Sequence, residues 1–198
     1  MKRFLFLIIL SFFFLFSKGQ GCMTADILIL MDWSGSEAGN EELLAAAALQ
    51  FIEGLDVSEN QVRVGVTAFA DGKLGVVRMT GDRALLASGV RNLATFSAMG
   101  GTWIVPAVES GKVELNDGRP VQKIVVIISD GDIYDRDVAL AELDALRNFL
   151  GAVVFAVQVG GDQQGFVNLS LLTRDANRVE HTTADGLVEA LKKLNICN

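Results

Sequence analysis

The sequence predicts an α/β domain: a doubly wound, mostly parallel central sheet with one antiparallel edge strand and helices on both faces, a three-layer sandwich. Three observations carry this. Ile27–Met31 and the stretch after Lys123 to Ile128 are short, unbroken apolar runs, the pattern of strands buried on both faces of a parallel sheet. Such strand patterns alternate with segments of helical period. Asp71-Gly72 between two strand patterns is a hairpin turn, which places an antiparallel strand at the edge.

Taken in order, the first strand, Ile27–Met31, ends abruptly in Asp32, Ser34 and Ser36. Glu41–Gly54 is a helix, because Leu43, Leu44, Ala47, Leu49, Phe51 and Ile52 recur at helical spacing and Gly54 closes it. Gln61–Ala70 is the second strand and Lys73–Met79 its return. Asp82 caps a helix running through Asn92. Thr95–Gly101 is loop, and Gly100-Gly101-Thr102 opens a helix to about Leu115, with Pro106 near its start. Lys123–Ile128 ends in Ser129-Asp130-Gly131-Asp132 and is followed by a helix over Val138–Leu150. Ala152–Val159 is the next central strand, ending in Gly160-Gly161. A short helix over Gly165–Thr173, a polar strand Arg178–Thr182 and a terminal helix Asp185–Leu194 complete the chain.

The 198 residues fit one domain of good size. Residues 1–19 read as a secretory signal peptide: basic Lys2 and Arg3, then an apolar run from Phe4 to Phe16, then Ser17-Lys18-Gly19 at a cleavage site. Residues 20–198 are then the mature domain, secreted, periplasmic or at a cell surface, with no membrane insertion. Cys22 and Cys197, the only cysteines, flank that domain, and in an exported protein they are expected to join its termini in a disulfide. On the chain-entropy model so long a loop contributes about 5 kcal/mol. Without the signal, basic residues fall from 17 to 14 against 24 acidic ones, a net charge of about −10. No basic patch serves nucleic acid or an anionic membrane. A monomer is expected.

In a doubly wound sheet, ligands bind at the carboxyl ends of the strands, at the topological switch point. That edge gathers Asp32, Ser34 and Ser36 with Asp130 and Thr102. Carboxylates and hydroxyls form a hard-oxygen set, suited to Mg²⁺ or Mn²⁺. Asp and Ser before a helix also serve as plain N-caps, the competing reading of the first loop.

This constellation resembles the von Willebrand factor type A domain, also seen as the inserted domain of integrins, a Rossmann-like fold. The family's metal-ion-dependent adhesion site reads D-x-S-x-S, then a threonine after a glycine pair, then an aspartate after a central strand. Asp32-Trp33-Ser34-Gly35-Ser36, Gly100-Gly101-Thr102 and Ser129-Asp130-Gly131 fill all five positions. The resemblance implies that Ser34 and Ser36 ligate Mg²⁺ or Mn²⁺ directly. Asp32 and Asp130 would do so directly or through water, and Thr102 when a ligand is engaged. It implies a non-enzymatic adhesion module whose ion captures an Asp or Glu carboxylate of a partner protein.

Trp33, Trp103 and Tyr134 flank those positions and are expected as the partner-binding rim. Asp132 and Asp135 are expected to cap the helix that follows them. His181, the only histidine, reads as a strand residue without a function, and Asn168-Leu169-Ser170 matches a glycosylation sequon. Two alternatives stand beside adhesion: a Mg²⁺-dependent phosphoester hydrolase, and a scaffold with a purely structural metal. The hydrolase lacks a second carboxylate at position 34, a nearby histidine and any phosphate-holding cation except Arg136.

Overall fold

The structure, a computed structural model, describes residues 24–194 and 196. The expected signal peptide and the Cys22–Cys197 pairing lie outside the described residues. Among these residues no helix is long and apolar enough to cross a membrane.

Six strands form one sheet: β1 (Ala25–Asp32), β2 (Val62–Phe69), β3 (Lys73–Thr80), β4 (Gln122–Ser129), β5 (Val153–Val159) and β6 (Val179–Thr182). Their order is β3-β2-β1-β4-β5-β6, parallel throughout except for the antiparallel β2–β3 pair. The helices are α1 (Glu41–Glu53), α2 (Arg83–Leu93), α3 (Val105–Leu115), α4 (Arg136–Leu150), α5 (Gln163–Thr173) and α6 (Leu187–Lys193). The predicted doubly wound fold is the observed one. The chain moves from β1 to β2 on one side and later returns to place β4 on the other, so the switch point lies between β1 and β4.

The period of two along each strand explains the layers. Ile27, Ile29 and Met31 face one side with Val64, Val66, Val126 and Val157, and α1, α2 and α6 cover them. Leu28 and Leu30 face the other with Val125, Ile127 and Val154, under α3, α4 and α5. The middle of each central strand is therefore apolar on both faces, as at Ile27–Met31 of β1 and residues 124–128 of β4, as the unbroken runs require.

Several boundaries differ from the sequence reading. The β2–β3 connection has three residues, since Phe69 pairs with Lys73, and Ala70 N–H donates to the Gly72 carbonyl at 2.8 Å. Asp71 is turned away from a two-residue hairpin because its carboxylate accepts from Gly101 N–H at 2.6 Å. Helix α3 starts three residues after Thr102, with Pro106 in its first turn. Asp82 caps α2 as expected, accepting from Ala84 and Leu85 N–H. The start of α6 is tightened into a 3₁₀ turn over Ala184–Gly186.

At the amino ends of the strands a buried carboxylate ties the sheet together. Asp26, wholly buried, accepts from Arg63 at 2.9 Å on each oxygen, from Arg119 at 2.7 Å and from Lys123 at 2.6 Å. Asp117 takes the other sides of Arg63 and Lys123. Burial alone would raise the Asp26 pKa, but the hydrogen bonds from the three cations outweigh it and hold it below the usual value.

Candidate metal centre

Strand β1 delivers Asp32 to the carboxyl edge, 1 % exposed. One carboxylate oxygen accepts from Ser34 N–H at 2.9 Å and the other from the Ser129 hydroxyl at 2.6 Å. Ser129 ends β4, so this second bond locks the first loop to the segment carrying Asp130. Beyond Asp32 the chain makes a tight 3₁₀ turn over Gly35–Glu37. This brings the hydroxyl oxygens of Ser34 and Ser36 to 3.1 Å from each other. Ser34 is buried and Ser36 exposed, so the pair runs from the floor of the site to its mouth.

The Thr102 segment is bonded to both neighbours. Gly35 N–H donates to the Gly100 carbonyl at 3.0 Å and Met99 N–H to the Trp33 carbonyl at 3.0 Å. On the other side Tyr134 N–H donates to the Thr102 carbonyl at 3.0 Å. Asp135 completes the link: its two oxygens accept from Ile104 N–H at 3.0 Å and Val105 N–H at 2.9 Å. It was expected to cap its own helix, α4, and instead caps α3, whose first N–H groups have no other partner. Asp132 is exposed, and its N–H donates to the Asp130 carboxylate at 3.0 Å. Three segments far apart in sequence are thus stitched into one edge that holds Asp32, Ser34, Ser36, Thr102 and Asp130.

The electrostatics of this edge oppose those at the amino end. Asp32 is raised from 3.8 to about 6, first by burial and further by the charge of Asp130, against the hydrogen bonds from Ser129 and Ser34. Glu37, which sequence reasoning passed over, is 3 % exposed. Its side chain accepts from Asn40 at 3.3 Å, and it is raised from 4.5 to about 7 by burial, with Asp32 and Asp130 adding to the rise. Among the described residues no Lys or Arg pairs with Asp32, Glu37 or Asp130. Buried carboxylates beside a further carboxylate and two hydroxyls fit a small divalent cation: hard oxygen donors are present, and among the described residues the balancing positive charge is not supplied.

The rim expectation needs one correction. Trp33 is wholly buried and packs in the core under α1 and α2, its indole N–H donating to the Phe96 carbonyl at 2.9 Å. It continues the alternation of Ile27, Ile29 and Met31, which turns it inward. Trp103 and Tyr134 are on the surface, 45 % and 60 % exposed, and form an edge-to-face pair with centroids 5.9 Å apart. The sequon asparagine, Asn168, is buried, donating to the Gly131 carbonyl at 2.9 Å and accepting from Arg136 at 3.0 Å. A glycan on Asn168 would remove this packing. His181 is exposed, and its Nδ1 lies 2.9 Å from Gln158 Oε1.

Comparison with known proteins agrees with this fold. The family model for the von Willebrand factor type A domain matches residues 26–195. The chain is 26 % identical to bovine matrilin-1 over 188 residues, covering 89 % of this chain and 34 % of that protein. It is 30 % identical to the human collagen alpha-6(VI) chain over 146 residues, covering 69 % of this chain and 6 % of that one. The chain therefore spans about a third or less of these relatives' length. Among solved structures, proximal thread matrix protein 1 of the mussel byssus with a zinc-occupied MIDAS motif superposes with a TM-score of 0.76 at 22 % identity, covering 88 % of this chain and 46 % of that one. The manganese-loaded TRAP protein of Plasmodium vivax gives 0.72 at 17 %, covering 88 % and 74 %.

Proposed function

The chain belongs to the von Willebrand factor type A family, and from that premise we propose that it is an extracellular, metal-dependent protein-binding module. Asp32, Ser34, Ser36, Thr102 and Asp130 would hold a divalent cation, Mg²⁺ or Mn²⁺, in a complete adhesion site. When bound, the ion supplies a Lewis-acidic position that accepts an anionic oxygen, and the ligand class that fits is an Asp or Glu carboxylate on a partner protein. The single observation behind this reading is the stitched edge, where buried carboxylates have no Lys or Arg partner among the described residues.

The chain's residues divide the work. Asp32 is held at both oxygens by Ser129 and Ser34, so its direction is set before any ion arrives. Ser34 and Ser36 add neutral donors, which leave positive charge on the ion for a partner to neutralise. The Trp103–Tyr134 pair offers an aromatic contact next to Thr102. The relatives support the class: they are a matrilin and a collagen chain, one structural neighbour is a matrix protein by name, and two neighbours carry zinc or manganese in their structures. The reading is non-enzymatic. Ser34 stands where a hydrolase would place a second carboxylate, and the Arg136 guanidinium is already engaged by Asp137 and Asn168. Residues 1–19 would direct export, and the domain from Gln20 would act outside the cell or at its surface as a monomer.

The test is calorimetric titration of the domain from Gln20 with Mg²⁺ and Mn²⁺, beside Asp32→Ala. Binding by the wild type and its loss in the variant are expected. Water-proton relaxation of the Mn²⁺ complex then counts coordinated waters. At least one is expected, and its loss on adding a carboxylate-bearing partner marks the open position. A wild type that takes up neither ion at millimolar concentration would refute the proposal.

A further inference from the structure

Gln158 interrupts an otherwise apolar strand, β5, and its side chain is buried at the carboxyl end of the sheet. A buried amide must satisfy its donors and its acceptor. Gln158 does so across three elements. Its Nε2 donates to the Asp130 carbonyl at 3.0 Å and to the Asp162 carbonyl at 2.8 Å. Both amide protons are then spent, so Oε1 must accept, and the group 2.9 Å away is His181 Nδ1. That nitrogen therefore carries a proton.

The surroundings are built for this amide. A Cβ at Gly161 would stand 2.8 Å from Gln158 Nε2 and 2.4 Å from the Asp130 carbonyl oxygen. One at Gly165 would stand 2.8 Å and 2.2 Å from the same atoms. Either side chain would drive the amide away from Asp130. Next along the chain, Gly131 is held by Asn168 on its carbonyl and by the Ser129 hydroxyl on its N–H, at 2.9 Å and 3.0 Å. His181 sits at the mouth of a surface hollow of about 360 Å³ lined also by Gly161, Asp162, Gln163 and Phe166.

We infer that Gln158 is a positioning residue for the metal centre: it fixes the backbone from which the Asp130 carboxylate extends, and His181 sets the orientation of its amide. The line His181–Gln158–Asp130 joins a surface hollow to a ligand of the proposed ion. This inference rests on the metal-binding reading. Among the described residues no hydroxyl is bonded to the Asp130 carboxylate, in contrast to Asp32; its one hydrogen bond is from the Asp132 N–H, so its direction depends on how the main chain from Asp130 to Asp132 is held.

The test uses the domain from Gln20 as wild type, Gln158→Met and His181→Ala. Mg²⁺ affinity is measured by calorimetry, and the ring C–H signals of His181, the only histidine, are followed by NMR during the titration. In the wild type these signals should shift with the same midpoint as the calorimetric curve. Gln158→Met should weaken Mg²⁺ about tenfold, the usual cost of losing a partner that orients a metal ligand, and should abolish the His181 response. If Gln158→Met does not fold, His181→Ala, at an exposed position, decides alone through a measurable loss of affinity smaller than that tenfold. Unchanged affinity in the folded variants, or silent His181 signals in the wild type, overturns the inference and leaves the metal site intact. A wild type that binds no Mg²⁺ overturns both, and is recognised because the unmutated protein is itself silent.

Discussion

Replacing Glu37 by glutamine should stabilise the metal-free protein, and the size of the gain follows from its surroundings. Burial and the charges of Asp32 and Asp130 raise Glu37 from 4.5 to about 7. The folded state thus keeps a proton that the unfolded chain releases, so stability falls as pH climbs from about 4.5 to about 7. A rise of that size corresponds to about 3 kcal/mol once both states are ionised, near pH 8. Glu37→Gln removes the charge and keeps an oxygen for the Asn40 amide, but adds an NH₂ needing a partner, at a cost of about 1 kcal/mol. The expected net gain is about 2 kcal/mol at pH 8, or roughly 4–8 °C in Tm for a domain of this size, and none near pH 4.5. Urea unfolding with EDTA from pH 4.5 to 8 measures it. Mg²⁺ on the proposed site should remove most of the difference by supplying the missing charge. A Glu37→Gln protein no more stable than wild type at pH 8 without metal would refute this account of the edge.

Asp26→Asn should act in the opposite sense, costing about 3 kcal/mol in urea unfolding, because it removes the one wholly buried carboxylate shared by Lys123, Arg63 and Arg119 and leaves only the partly exposed Asp117 to Arg63 and Lys123. Since the Asp26 pKa is lowered in the fold, its contribution is present above about pH 4 and is lost as pH falls further, visible as acid destabilisation that Asp26→Asn lacks. Asp135→Ala should lower stability by 1–2 kcal/mol by uncapping α3, and reduce Mg²⁺ affinity by loosening the Thr102 segment, read by the same calorimetry. Trp33→Phe should cost 1–3 kcal/mol through the orphaned Phe96 carbonyl and the lost core volume. Trp103→Ala should cost no more than its aromatic pair, about 1 kcal/mol, while weakening the partner complex.

The architecture was legible because two periodicities agreed with one topology. Unbroken apolar runs at β1 and β4 mean burial on both faces, and helical patterns between them supply the covering layers. The loops of the candidate site were legible for the same reason, since a doubly wound sheet brings the ends of β1 and β4 together whatever lies between. What escaped depended on contacts between loops. Asp135 looks like a cap for the helix that follows it, and only the packing of the Thr102 segment against it reveals whose N–H groups it meets. Glu37 is visible beside Ser36, but its burial is a property of the 3₁₀ turn. Trp33 was within reach of the sequence: the parity that sends Ile27, Ile29 and Met31 to the α1 side sends position 33 there too. The glycine pair misplaced the start of α3, because Thr102 and the two residues after it run to the Asp135 cap before the helix begins.

The two ends of β1 form a controlled comparison within one molecule. Asp26 and Asp32 are the same residue type on the same strand, six positions apart and hence on the same face, and both are almost wholly buried. Burial pushes both pKa values up. At the amino end the chain answers with Arg63, Arg119 and Lys123, and the value falls below the usual one. At the carboxyl end it answers with hydroxyls and an N–H from Ser129 and Ser34, then adds the charge of Asp130, and the value stays near 6. Among the described residues, a fold that gathers three cations around one aspartate gathers none around the other. Neutral donors that orient a carboxylate without neutralising it, next to further carboxylates, leave a charge deficit that the proposed divalent cation would fill, and the hard-oxygen character of the donors suits it. It is this imbalance between the two ends of one strand, more than the five-residue pattern alone, that argues for the proposed metal site.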